Sequence, residues 1–391
     1  MPGRPPFPIG ASVALEQLDR DPHPVLAALR CAEPVSWIDA LGGWLVSGYE
    51  PARTVLHDPA TFTVQDERFS TARVLGPSML SLDGPEHARH REPFVAPLRS
   101  GASRVRFGTE IETECDRLVE MLAPRGECEL LGEFAGPLAA GVLTRALGLG
   151  EGPADAAVVR GFYQEIVSAV TALTAGRPLP PAGTDAYSSL SRRLRGTLRA
   201  GEDSLLSVAA ERGRLDETEL IANAAVLLFG GIETTEGMIA NAVLHVLERP
   251  DVQARLCERP ELVDRALDES LRLEPAASVV DRYATRDVCL GGAEIQAGEL
   301  VRVSLAGAGR DPAVFADPDR FDLDRPRAHP HLAFAQGPHV CIGVHLARLE
   351  ARIALTRLLV RLPELRLDPE RPAAVRGLVF RKPATLYVRW G

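Results

Sequence analysis

Residues 334–343 read Phe-Ala-Gln-Gly-Pro-His-Val-Cys-Ile-Gly, and this run constrains the chain more than any other. One cysteine stands between two glycines, with a histidine two positions before it. Directly afterwards Leu346, Leu349, Ile353 and Val360 recur at helical spacing, with Arg348, Glu350 and Arg357 between them. Cys341 therefore falls at or just before a helix N-terminus, where unpaired backbone N–H groups and the positive dipole end stabilise a thiolate. That geometry suits a thiolate bound to a metal. Gly337 and Gly343 remove side chains where a flat cofactor would approach the backbone, and Phe334 could cover the sulfur. A buried structural cysteine in a Gly-rich turn is the plainer alternative, and it usually holds for an isolated thiol.

The whole run resembles the haem-binding loop of the cytochrome P-450 family, the haem-thiolate monooxygenases, whose pattern is Phe-Gly-x-Gly-x-His/Arg-x-Cys-x-Gly. Only the first glycine departs, being Ala335 here. Alanine is tolerated there unless the position requires a positive φ.

Upstream, Leu220 to Leu247 reads as one long helix, with Asp216 and Glu219 placed as a capping box and Arg249-Pro250 ending it. Its middle holds Gly230-Gly231-Ile-Glu233-Thr234-Thr235. Two glycines in a helix interior cost about 1 kcal/mol each relative to alanine, so they need a reason. One reason is close helix–helix packing. The other is local widening of the helix to admit a small ligand and water, followed by a carboxylate and a hydroxyl able to relay protons. The run resembles the family's oxygen-activation motif, Ala/Gly-Gly-x-Asp/Glu-Thr. The resemblance makes Glu233 and Thr234 the catalytic pair and places Gly231 beside the cofactor.

Two further segments follow the family's order. Glu269-Ser-Leu-Arg272-Leu-Glu-Pro275 resembles its Glu-x-x-Arg helix, and Asp317-Pro-Asp-Arg320-Phe321 the segment whose arginine completes a Glu–Arg–Arg cluster. Glu269, Arg272 and Arg320 are then structural. Such pairs are also common on surfaces, where they contribute little. In Asp83-Gly-Pro-Glu-His87-Ala-Arg-His-Arg91, His87 and Arg91 share one helical face, which by itself also fits a solvated basic helix. By resemblance His87, Arg91, Arg282 and His339 bind the haem propionates, since two buried carboxylates need donors. The likeness runs from about Pro22 to the C-terminus.

At 391 residues, 46% hydrophobic and 25% charged, the chain fits an ordered globule. It shows no linker, repeat or low-complexity block, so one domain over 1–391 is expected. The longest apolar run, Ala224 to Ile232, is too short for a bilayer span of about 20 residues. The opening Met-Pro-Gly-Arg-Pro-Pro lacks a signal-peptide core. A soluble, cytoplasmic monomer is expected. Six scattered cysteines without a CxxC pair argue against a zinc site or a disulfide framework. A net charge of −9 gives no general attraction to nucleic acid. Lys382 is the only lysine, which reads as high-GC, bacterial codon usage.

The pattern is mainly α with a small β region, an α+β organisation that is also the P-450 fold. Strands are expected at Val35–Ile38, Leu45–Ser47, Val288–Leu290, Glu294–Ile295 and Leu300–Ser304, and near Leu378 and Leu386.

The resemblance implies haem b ligated by Cys341, with electrons from NAD(P)H through a separate ferredoxin reductase and ferredoxin. Arg89, Arg99, Arg104, Arg106 and Arg348 are candidates for the docking face, although a solvated surface explains most of them equally well. The implied activity inserts one oxygen atom from O2 into a C–H or C=C bond of a small hydrophobic molecule, in secondary-metabolite tailoring or in breakdown of a terpenoid or aromatic compound. A peroxide-driven enzyme and a non-enzymatic haem sensor are the alternatives. By analogy the pocket draws on 62–82, Leu227, Leu228, 276–280 (Ala277, Val279, Val280) and 378–380 (Phe380). The segment 150–200 covers it, and its Gly/Pro-rich piece Gly176–Gly183 allows movement.

Overall fold

The computed structural model describes residues 7–174, 177–201, 203–326 and 329–391. Gly176, at the start of the proposed mobile piece, and the first six residues lie outside them. The helices that position the candidate residues are α1 (Tyr49–His57), α2 (Gly84–Val95), α3 (Ser100–Leu122), α4 (Gly136–Ala146), α5 (Pro153–Thr174), α6 (Pro181–Ala200), α7 (Glu217–Leu247), α8 (Val263–Leu273) and α9 (Val344–Arg361). The chain gathers into two compact units, each assembled from three segments. The first comprises 1–64, 241–341 and 373–384; the second comprises 65–240, 342–372 and 385–391.

The first unit holds a five-stranded sheet of β1 (Val35–Ile38), β2 (Gly43–Val46), β3 (Phe62–Thr63), β4 (Val279–Ala284) and β5 (Leu300–Ser304), in the order β1-β2-β5-β4-β3. β1 and β2 form the expected hairpin, with Val35 opposite Val46 and Trp37 opposite Trp44. β2 lies parallel to β5, and the other pairs are antiparallel. The strands at 288–290, 293–295 and 300–304 stand where expected. β4 escapes the alternation rule because Asp281 and Arg282 interrupt it. Asp281 sits opposite Arg302 on β5, and the two pair at 2.6 Å, so the charge is consumed across the sheet. The core of this unit is built round Trp44, Tyr49, Phe62, Val301 and Phe315, with Phe7 and Trp37 set edge-on to Trp44.

The second unit is helical. α9 packs along α3, and α5 packs on both α4 and α6. A small sheet pairs 387–389 with 127–129 and 366–367. α7 begins at Glu217, three residues before the expected start, and ends at Leu247 as expected. Its capping box is present: Glu219 N–H donates to Asp216 Oδ1 at 2.9 Å, and Asp216 N–H to Glu219 Oε2 at 3.0 Å. Ile221, Ala222, Asn223, Ala224, Ala225 and Val226 are buried without a break, and so are Leu228 and Phe229, the pattern of a helix covered on every side. No helix of the described residues is long and apolar enough to cross a membrane.

Candidate active site

In the first unit, the part of the loop from 334 to 341 is pinned by its own backbone. Cys341 N–H donates to Phe334 O at 2.9 Å, Val340 N–H to Gly337 O at 3.1 Å, and Ala335 N–H to Leu332 O at 2.8 Å. The first of these closes the loop and leaves Cys341 exposed, three residues before Val344 opens α9. Phe334 is half-buried, and it is its carbonyl that ties it to Cys341. Gly343 is the residue before α9, at φ −86°. Gly337 has φ +72°, and a Cβ there would lie 2.2 Å from Leu56 O at the end of α1. That glycine is accounted for by the approach of loop to helix, where the sequence suggested room for a cofactor. Ala335 stands at φ +55°, so the one departure from the family pattern falls where glycine is favoured.

His339 is half-buried at the end of a 3-10 turn, and Arg282 is buried on β4 with Nη1 donating to Asp281 O at 2.8 Å. The apolar candidates of this unit come together: Ala277 bridges Phe380, and Ser278 N–H donates to Val379 O at 2.8 Å. Val279 is buried and Val280 half-buried.

The Glu-x-x-Arg pair is buried and two-pronged, Arg272 Nε and Nη2 each reaching a Glu269 oxygen at 2.9 Å. Its third member differs from expectation. Arg325 Nε donates to both Glu269 oxygens, at 3.0 and 2.9 Å, while the Arg320 side chain is exposed. Arg320 contributes its carbonyl instead, accepting from Arg272 Nη2 at 2.9 Å and Arg325 Nη2 at 2.8 Å. The 317–321 turn presents that carbonyl inward, and the guanidinium five residues on closes the cluster.

In the second unit, His87 is buried and Arg91 half-buried on α2, so this face is no simple solvated surface. Arg89 is engaged elsewhere. It reaches Glu219 at 2.6 Å and Glu86 at 2.8 Å, and its hydrogen bond holds the Glu219 carboxyl down at about 2. Arg106 pairs with Asp203 at 2.6 Å. Among the docking candidates, Arg99 and Arg104 are exposed.

α7 runs as uninterrupted α-helix through 230–235, so the expected widening is not seen. A Cβ at Gly231 would lie 2.6 Å from Leu143 Cδ1 of α4, and packing explains that glycine. Gly230 is exposed and faces open space. One turn on, Thr234 Oγ1 donates to Gly230 O at 2.5 Å, and the Glu233 carboxylate accepts from Tyr163 Oη of α5. Burial and the neighbouring Glu233 push the Tyr163 phenol well above its usual range. Leu227 is half-buried and Leu228 buried. Tyr163 and Arg325 were missed because neither lies in a motif: Tyr163 is 70 positions from its partner.

The donor set fits a haem. Cys341 is an exposed thiol in a backbone-closed loop just before a helix, a setting that suits a single thiolate ligand to a haem iron. Each unit carries basic side chains of the kind a buried carboxylate needs, His87 and Arg91 in the second and Arg282 and His339 in the first.

A cytochrome P450 family profile matches residues 185–372. The nocardicin C N-oxygenase of Nocardia uniformis subsp. tsuyamanensis is 36% identical over 98% of both chains. The chain belongs to the cytochrome P450 family. The P450 monooxygenase PikC of Streptomyces venezuelae is 38% identical over 95% of this chain and 91% of its own. P450BioI, solved with an acyl carrier protein ligated to hexadec-9Z-enoic acid, superposes with a TM-score of 0.86 at 29% identity, over 95% of this chain and 99% of that one. The mainly α P450 fold with its small sheets, and the activity of a haem-dependent monooxygenase, are those of this family.

Proposed function

We propose that this P450 inserts one oxygen atom into a C–H or C=C bond of a small hydrophobic molecule during tailoring of a secondary metabolite. Cys341 ligates the iron of haem b, and His87, Arg91, Arg282 and His339 hold its propionates. When bound, haem would supply O2 activation, with one atom of O2 passing to substrate and the other leaving as water at the expense of two electrons and two protons. The protein positions substrate, excludes water and moves protons. Glu233 and Thr234 do the last: the Thr234 hydroxyl is oriented by Gly230 O, and the Glu233 carboxylate by Tyr163. Leu227, Leu228, Ala277, Val279, Val280 and Phe380 line the apolar pocket. Electrons come from NAD(P)H through a ferredoxin reductase and a ferredoxin, in the cytoplasm, to a monomer that works as one domain over 1–391. The oxygenation of nocardicin C, for which the Nocardia relative is named, supports the tailoring role.

The observation that carries this reading is the exposed Cys341 in a backbone-closed loop before α9. Replacing it by serine removes the soft anionic donor. Cys341→Ser should lose both the red-shifted Soret band of the reduced carbon monoxide complex and product formation. A variant that keeps both refutes the assignment. Turnover with a surrogate ferredoxin and reductase, set against peroxide alone, identifies the electron source; product from peroxide only would make this a peroxide-driven enzyme.

A further inference from the structure

α5 and α7 face each other through polar rungs that the motifs do not mention. On α5, Arg160 and Tyr163 lie one turn apart; on α7, so do Glu233 and Glu236. Tyr163 Oη donates to Glu233, and Arg160 Nη2 stands 3.5 Å from Glu236 Oε2. Tyr163 is 5% exposed, so its hydroxyl is placed by packing and not by solvent. The second rung joins a half-buried Arg160 to a buried Glu236. Arg160 also donates to Gly132 O at 3.2 Å, and a cavity of about 260 Å3, lined by Pro137, Ala140, Ala156, Arg160 and Gln164, lies beside it. α4 accommodates this rung with a glycine: a Cβ at Gly136 would lie 2.5 Å from both Arg160 Nη2 and Glu236 Oε2. The charge that α4 carries at Arg145 is directed away, to Glu114 of α3 at 3.0 Å.

We propose that Tyr163 is a positioning residue for proton delivery, holding the Glu233 carboxylate toward α5 and setting the pH range over which it works. The inference rests on the reading of Glu233 as the acid that feeds protons inward. Glu233 gives up one proton and regains one from water, while Tyr163 keeps its own throughout. A hydrogen bond donated to the carboxylate favours the charged form. Glu236, one turn away, opposes it, and Arg160 offsets Glu236. The burial that raises the phenol keeps Tyr163 a neutral donor across the working pH range.

Tyr163→Phe deletes the donor and little else. Two measurements on the holoenzyme read the result. One is the infrared band of a protonated carboxyl in the ferric resting enzyme, identified as the band that Glu233→Gln removes. The other is the pH midpoint of coupling, scored as product formed per NAD(P)H oxidised. In Tyr163→Phe both midpoints should rise by about one pH unit, a tenfold change in proton affinity for one hydrogen bond to a charged group. The double variant with Glu233→Gln should behave as Glu233→Gln alone. If Tyr163→Phe titrates as wild type while Glu233→Gln is uncoupled, Tyr163 only packs, and the role of Glu233 stands. If Glu233→Gln couples as well as wild type, the role of Glu233 falls and the inference falls with it. Should Tyr163→Phe fail to fold, Glu233→Asp draws the carboxylate back from the phenol by one methylene. It should raise the same midpoints, and unchanged midpoints would overturn the proposal.

Discussion

At Ala335 a methyl group occupies a left-handed backbone, φ +55°, two positions before Gly337 at φ +72°. The two positions answer to the same rule in opposite ways. A non-glycine residue in this region costs about 1–2 kcal/mol, part of which is offset in the unfolded chain, where alanine is less free than glycine. Ala335→Gly should therefore stabilise the protein by up to about 1 kcal/mol, seen as a higher thermal midpoint. A lower midpoint would mean that the methyl group's contact with the core of the first unit outweighs the strain. Gly337→Ala should do the reverse, by about 2–4 kcal/mol, because the added Cβ meets a main-chain carbonyl that cannot step aside. Its thiolate signature in the carbon monoxide spectrum should weaken along with its stability, since the same loop carries Cys341.

Elements in the first unit are tied by two buried ionic clusters. In one, Glu269 of α8 is gripped by Arg272 and Arg325. Removing one partner of a buried pair costs about 3–5 kcal/mol, whereas an exposed side chain changes stability by about 0.5 kcal/mol or less. Chemical denaturation should thus separate Arg325→Ala, strongly destabilised, from Arg320→Ala, nearly neutral. Equal effects would restore Arg320 to the cluster. The other joins Glu274 to His23 at 2.8 Å and to Arg381 at 2.7 Å. Burial acts to raise the Glu274 carboxyl, but His23 and Arg381 outweigh it and bring it down to about 2. The unfolded chain takes up the same proton at about pH 4.3, so the stabilisation is present above that pH and lost as pH falls toward 2. Thermal midpoints of wild type should drop across this window. Those of Glu274→Gln, lower throughout, should lack that component of the slope.

Over the whole molecule, the proposed propionate donors include Arg91 on α2 and Arg282 on β4. A hydrogen bond to a charged group contributes about 1.5–3 kcal/mol, so Arg91→Ala or Arg282→Ala should speed haem transfer to an apo-globin about tenfold or more. The control is exposed Arg376→Ala. Loss no faster than in that control would remove these arginines from the site.

The sequence by itself determined what depends on neighbours in the chain. The capping box and end of α7, the 35–46 hairpin, the helix after Cys341 and the Glu269–Arg272 pair are local, and spacing reveals them. Motif order extended this to the proposed haem ligand and the proposed Glu233–Thr234 pair, since those residues stand within short runs. Only the tertiary structure decided the rest. Gly231 is read by Leu143 of another helix, Gly337 by the carbonyl of Leu56, β4 by Arg302 across the sheet, and Glu233 by Tyr163. In each case the deciding atom lies tens to hundreds of residues away, and no periodicity along the chain encodes which side chain will meet it.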